Sequence, residues 1–212
     1  MSALRLVLVR HGQTPSNVIG SLDSRPPGPP LTDLGRQQAA TVAESLAGQP
    51  VVAVYASVAV RAQETAAPIA AAHGLDVKVV EGIHEAFVGD LECRNDPDSI
   101  RAFFEVFHRW TRALDLDVPM PGGESAQQVL DRFLPVVADV RARHEDGVAV
   151  LVSHGAAIRI CSFALSPNVD AELADQHLLD NCGRVVLEAD AGSPTGWRCL
   201  EWADVPVEAG TA

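Results

Sequence analysis

Two histidines and two arginines stand just past the ends of short apolar runs, and together they suit the chemistry of a phosphoryl group. Arg10-His11-Gly12 closes the run 4–9, Ser153-His154-Gly155 closes the run 148–152, and Arg61 lies on the turn after the run 51–56. Two guanidiniums can each grip phosphate oxygens bidentately, one imidazole can attack phosphorus, and a second can stabilise charge on the group in transfer. Gly12 and Gly155 would let the backbone approach an anion, and a helix starting after His154 would aim N–H groups and a partial positive charge at it. A departing alkoxide also needs a proton. Glu85, in Ile83-His84-Glu85-Ala86-Phe87-Val88-Gly89, is the candidate donor, with Phe87 and Val88 placed to exclude water.

These residues need a scaffold that brings distant chain segments to one edge, and the hydrophobic pattern predicts one. Residues 4–9 and 148–152 are aliphatic with little alternation, as in strands buried on both faces, and 51–56, 77–80 and 184–188 read as further strands. Residues 197–202 suit an edge strand. Helical spacing marks 36–46 behind a Thr32 cap, 58–73 before Gly74, 97–116, 126–144 and 156–165. The stretch 97–116 carries an aromatic stripe of Phe103, Phe104, Phe107 and Trp110, and Arg159 reads as a tie between its helix and the surroundings. Pro26, Pro27, Pro29 and Pro30 make the segment after Gly20 a loop, and Asn181-Cys182-Gly183 reads as a turn. Strands alternating with helices predict an α/β fold, a three-layer α/β/α sandwich around a mainly parallel sheet. In such sheets ligands bind beyond the carboxyl ends of the strands, where His11, Arg61 and His154 fall. One domain over residues 1–205 is expected, with 90–121 as a cap insertion and 206–212 as a tail.

Composition narrows the partners. A net charge of −12 argues against nucleic acid, which needs a basic face, so an anionic substrate would require a local basic pocket. No apolar stretch approaches membrane-spanning length, and the opening residues lack a signal-peptide pattern, which points to the cytoplasm. Cys93, Cys161, Cys182 and Cys199 stand far apart, so neither a zinc cluster nor a disulfide framework is expected. The remaining histidines lack metal-ligand spacing.

The ordered motifs together resemble the histidine phosphatase superfamily, also called the phosphoglycerate mutase-like family. Arg10, His11, Gly12, Thr14 and Asn17 meet its Arg-His-Gly-x-Thr-x-x-Asn pattern, and Leu31, Thr32 and Gly35 meet its Leu-Thr-x-x-Gly segment. Ser57, Arg61, Ala62, Thr65 and Ala66 match a third block, and Gly122-Gly123-Glu124-Ser125 and Ser153-His154-Gly155 complete the series. The chain departs from the pattern at Val58-Ala59, at Glu64, and at Cys93, which takes a glycine position after Leu91-Glu92. The resemblance implies a phosphoglycerate mutase-like fold and a phosphohistidine on His11. It also implies Glu85 as acid and then base, a phosphate grip of Arg10, Asn17, Arg61 and His154, and neither metal nor cofactor.

A small phosphorylated metabolite is the expected substrate, and a homodimer is left open. Phosphoryl return to a second hydroxyl, as in a mutase, is the alternative. Ala86 and Val88 stand where the mutases of this family carry Arg and Tyr after the acid, which favours water as acceptor. A non-catalytic module docking phosphorylated ligands is the second alternative, and it would lack the nucleophile or the acid.

Overall fold

The computed structural model describes residues 3–208. In chain order its elements are β1 (Arg5–Arg10), α1 (Pro15–Val18), α2 (Asp33–Leu46), β2 (Val51–Ser57), α3 (Val60–Ala72) and β3 (Val77–Val80). After a single 3-10 turn at Gly89–Leu91 come α4 (Pro97–Thr111), α5 (Ala126–Arg143), β4 (Val148–Ser153), α6 (Gly155–Leu165) and α7 (Ala171–Gln176). The chain ends in β5 (Arg184–Ala189), β6 (Trp197–Trp202) and β7 (Val205–Pro206).

The strands form one seven-stranded sheet in the order β3-β2-β4-β1-β5-β6-β7. The pairs among β1 to β4 are parallel, and β5, β6 and β7 extend the β1 side antiparallel. Because successive side chains of a strand point to opposite faces, each buried strand feeds two cores. Leu6, Leu8, Tyr55 and Leu151 pack with Phe133 and Val137 of α5 and with Ile158 of α6, whereas Val7, Val9, Val54 and Val150 pack with Val42 of α2 and Ile69 of α3. Helices thus cover both faces, giving the α/β sandwich that the alternating pattern predicts.

Several boundaries differ from the sequence pattern, each for a local reason. Thr32 Oγ1 accepts the Gly35 N–H at 3.0 Å, so α2 begins at Asp33, one turn before the apolar periodicity becomes visible. Helix α4 stops at Thr111, short of residue 116: Leu114 adopts a left-handed φ of 53°, and Trp110 Nε1 donates to Val118 O at 2.6 Å. Helices α1 and α7 and strand β7 are too short to show a period. Pro206, read as the start of the tail, still pairs with Glu201, and Val207 N–H donates to Leu200 O at 2.9 Å. Residues 209–212 of that tail lie outside the described residues.

Cys93 keeps the backbone conformation a glycine would prefer, with φ at 60°, while its N–H donates to Leu22 O at 2.7 Å. A side chain in that region costs roughly 1–2 kcal/mol, and glycine gives back roughly 0.5–1 kcal/mol of chain entropy. Cys93→Gly is therefore expected to stabilise the protein by roughly 1 kcal/mol, seen as a rise in Tm of about 2–4 °C in a thermal melt. An unchanged Tm would mean that the strain is relieved elsewhere in the loop.

Candidate active site

Strand register decides which residues meet. Arg10 of β1 lies opposite Ser153 of β4, and His11 N–H donates to Ser153 O at 3.0 Å, so the next residue on each strand, His11 and His154, come side by side. Their ring centroids are 5.1 Å apart with planes at 60°. The chain leaving β1 enters α2 on one face of the sheet and the chain leaving β4 enters α6 on the other, so a crevice opens between the two strand ends. A cleft of about 250 Å³ lies there, lined at its closed end by Arg10, His11, Asn17, Arg61, Glu85 and Gly155. His154 is fully buried behind His11, with Nε2 2.7 Å from Ser57 Oγ at the end of β2.

The hydrogen bond of His11 fixes its tautomer. Nδ1 stands 2.8 Å from Gly12 O. A carbonyl can only accept, so Nδ1 carries the hydrogen and Nε2 of the neutral ring keeps its lone pair. Burial and the nearby charges of Arg61 and Arg10 hold the His11 pKa well below the ordinary histidine value of 6.5. Burial, Arg61 and His11 do the same to His154. Both rings are neutral near pH 7.

These two depressed values link pH to stability. Below about 6.5 the unfolded chain protonates its histidines, while the folded chain keeps these two neutral. Their contribution is complete above pH 6.5 and declines as pH falls from 6.5 towards 5, because only the unfolded state gains protons there. Thermal melts are therefore expected to show Tm dropping between pH 7 and pH 5, and His154→Asn is expected to flatten that drop. A Tm that rises on acidification would contradict the sign.

The cationic groups are anchored on one side and open on the other. Arg10 Nη1 donates to Leu179 O at 2.6 Å, and Arg61, 1% exposed, donates from Nη2 to Asp23 O at 3.1 Å with Nη1 3.6 Å from Asp23 Oδ1. Burial lowers both guanidinium pKa values, Glu85 and the neighbouring aspartates oppose it, and a guanidinium stays charged at any working pH. Among the described residues Arg10 Nε, Arg61 Nη1 and His154 Nδ1 are buried without a hydrogen-bond partner. Buried polar atoms without a hydrogen-bond partner are costly and rare, and these belong to residues that lie beside His11.

Asn17 serves the fold as well as the cleft. Its Oδ1 accepts from Thr14 N, Thr14 Oγ1 and Asn181 Nδ2 at 3.0, 3.1 and 3.1 Å, forming the capping box of α1. With the oxygen so occupied, the Nδ2 end holds the donors it can offer a ligand.

Glu85 meets a different environment from the one its sequence neighbours suggest. Its Oε1 accepts from Ala86 and Ala157 N–H at 2.8 and 3.0 Å, and Oε2 accepts from Ala156 N–H at 3.2 Å. Two first-turn donors of α6 thus bind the carboxylate rather than standing open to an anion, which corrects that expectation for the helix. Phe87 turns away between His84 and Arg25, at 4.8 and 5.0 Å, and only Val88 of the apolar pair lines the cleft. Gly12 is needed for another reason than anion approach, since a Cβ there would overlap Gly35 O as the two backbones cross. The same crossing accounts for Gly35, where a Cβ would overlap Gln13 O.

Four contributors carry no periodic or motif signal that assigns them a role. Arg132 of α5 donates from all three of its nitrogens: to Gly82, His84 and Glu85 carbonyls at 2.6, 2.8 and 2.9 Å, and to both oxygens of Glu124 at 3.0 and 2.9 Å. It pins the loop that carries Glu85. Asn181, read as part of a turn, donates to His11 O at 3.0 Å, and Asp23 and Ser57 hold Arg61 and His154. Arg159 ties α6 to α7 as expected, through Ala174 O and Asp175, and its guanidinium also lies 4.8 Å over Phe107. The aromatic stripe divides: Trp110 and Phe107 are core, Phe107 also reaching the cleft, whereas Phe103 and Phe104 line the cleft. Among the described residues no group of three or more His, Cys, Asp or Glu is arranged to hold a metal ion.

The proline-rich loop fixes Arg61 from above. Gly28 has a φ of 63°, and a Cβ there would overlap Arg61 Nη1. Gly28→Ala is expected to displace that guanidinium and weaken competitive inhibition by inorganic phosphate about tenfold, a loss of one charge-assisted contact. Inhibition unchanged in this variant would place Arg61 outside the anion grip.

The family model of the histidine phosphatase superfamily (branch 1) matches residues 6–205. The chain is 33% identical over 222 residues to the PE-PGRS family protein PE_PGRS11 of Mycobacterium tuberculosis, covering 94% of this chain but 36% of that protein, so it spans about a third of that relative's length. It is 32% identical over 203 residues to a probable phosphoglycerate mutase, GpmB, of Escherichia coli O1:K1, with 92% and 90% coverage. Among solved structures, a mycobacterial glucosyl-3-phosphoglycerate phosphatase superposes with a TM-score of 0.80 at 29% identity, covering 96% of this chain and 99% of that one. Among the described residues no helix is long and apolar enough to cross a membrane.

Proposed function

The chain belongs to the histidine phosphatase superfamily, branch 1, and on that premise we propose that it hydrolyses small phosphomonoesters through a phosphohistidine on His11. The observation that carries this reading is a buried histidine whose Nε2 lone pair is free, beside the guanidiniums of Arg10 and Arg61, with Arg10 Nε left without a hydrogen-bond partner. A phosphoryl group bound there would accept from the guanidiniums while its phosphorus faces the lone pair.

In the first step His11 Nε2 attacks phosphorus in line. The bond to the leaving oxygen breaks with its electrons on that oxygen, and Glu85 supplies the proton that makes it an alcohol. Water then attacks the phosphohistidine, gives its proton to Glu85 and releases inorganic phosphate, and His11 returns to its neutral form. Arg10, Asn17, Arg61 and His154 hold the equatorial oxygens throughout, and the N–H groups of α6 keep the Glu85 side chain in reach.

Water is favoured over a second hydroxyl as acceptor because Ala86 and Val88 follow the acid and Arg159 is already engaged by Ala174 and Asp175. The ligand-binding module is disfavoured, since nucleophile and acid both line the cleft. We place the protein in the cytoplasm because its four cysteines are free thiols, as a reducing compartment keeps them. The test is phosphate release from p-nitrophenyl phosphate between pH 5 and 8, with a rapid quench that traps acid-labile, base-stable labelled protein. Absence of both release and label would sink the reading, and isomerisation of a phosphoglycerate without release would establish the mutase instead.

A further inference from the structure

Resting on that phosphatase reading, we infer that the preferred substrates are monoesters of small apolar alcohols, whose leaving group lies against a phenylalanine wall contributed by α4. Beyond the phosphoryl grip the cleft is lined by Val88, Phe103, Phe104, Phe107, Leu178 and Leu179. Phe103 stacks on Phe107 at 5.7 Å and 15°, and Phe104 meets Phe103 edge-on at 5.3 Å, so the three rings form one continuous surface. Phe104 is 41% exposed and Leu178 is 58% exposed. Val88, Phe107 and Leu179 form the buried back of this wall, and Phe104 and Leu178 leave its front open to water, which a ligand of like character would cover.

The polar groups at that end are engaged, apart from Arg159 Nε. Asp23 is held by Arg61 and by Ser16 Oγ at 2.7 Å, and Ser24 binds Glu92. Arg159 donates to Ala174 O at 2.9 Å, faces Asp175 at 3.4 Å and lies over the Phe107 ring. A leaving group bearing a carboxylate would meet one cation that is already neutralised, with the Asp23 carboxylate also on the wall. Arg159 Nε is buried without a partner, so it is the group through which a second anion would have to bind. The volume of about 250 Å³ lies below the usual range for small-molecule sites, which limits the leaving group to a short one.

The n-alkyl phosphates from ethyl to hexyl test this, because their leaving groups differ in apolar length and scarcely in acidity. kcat/KM is expected to rise about two- to fourfold per methylene until the wall is covered. Phosphoserine and 3-phosphoglycerate are expected at or below ethyl phosphate. Phe104→Ala is expected to lower the hexyl-to-ethyl ratio at least threefold, and Phe104→Leu to restore it, which a merely structural role would not produce. A flat series with ethyl phosphate turned over overturns the apolar wall and leaves hydrolysis standing, as does an unchanged ratio in Phe104→Ala. A tenfold preference for phosphoserine or 3-phosphoglycerate overturns it in favour of Arg159. Failure to hydrolyse any monoester, p-nitrophenyl phosphate included, removes the phosphatase reading and this inference with it.

Discussion

His11→Ala is expected to lower kcat/KM for phosphomonoesters by at least about 10⁴-fold while leaving phosphate binding nearly intact, because it removes the proposed nucleophile. The grip remains: Arg10 and Arg61 are fixed by Leu179 O and by Asp23, neither of which touches the His11 ring. Turnover and binding should therefore separate. The measurement pairs steady-state hydrolysis with the dissociation constant of inorganic phosphate from calorimetry, alongside a melt to show that the variant folds. Removing a ring that is 5% exposed leaves a small cavity beside His154, so some loss of Tm is expected without loss of the fold. Activity within tenfold of the starting protein would place the nucleophile elsewhere.

The second large effect belongs to Glu85, and it depends on the leaving group. Glu85→Gln keeps the size and an oxygen that can still accept from Ala86 and Ala157, losing only the contact from Ala156 N–H, so the α6 turn should survive. The proton does not survive the exchange. For alkyl phosphates, whose alkoxide must be protonated as it leaves, kcat is expected to fall about 10²–10⁴-fold. For p-nitrophenyl phosphate the phenolate departs unaided, so formation of the phosphohistidine stays fast while its hydrolysis, deprived of a base, slows. The result should be a burst of nitrophenolate equal to the enzyme concentration, followed by slow turnover and accumulation of labelled protein. Equal losses for both substrates, with no burst, would reduce Glu85 to a clasp on α6. Arg132 acts through Glu85 by holding its loop at three carbonyls, so it is a positioning residue.

The parts of this protein that read directly from the chain are those governed by local rules. Strands 4–9 and 148–152 are visible because burial on both faces demands unbroken aliphatic runs, and α2 because Thr32 caps it. His11 and His154 stand out because strand ends in a parallel sheet are where ligands bind. The setting of Glu85 was not legible. Its neighbours Phe87 and Val88 suggest an apolar pocket, yet the donors that hold it are Ala156 and Ala157, seventy residues away and without functional side chains.

By itself, then, the sequence determined the α/β layers, the ends of the two strands that carry histidines, and the candidates for the reacting groups, since each depends on residue type and short-range spacing. Only the tertiary structure decided that Arg10 lies opposite Ser153, so that the two rings meet at 5.1 Å. It also decided that α4 lines the cleft with Phe103 and Phe104, while Phe107 is buried between the cleft and the core. The reason is the same in each case: register, backbone direction and the packing of one element on another are set by contacts between residues far apart in the chain, and no local periodicity encodes them.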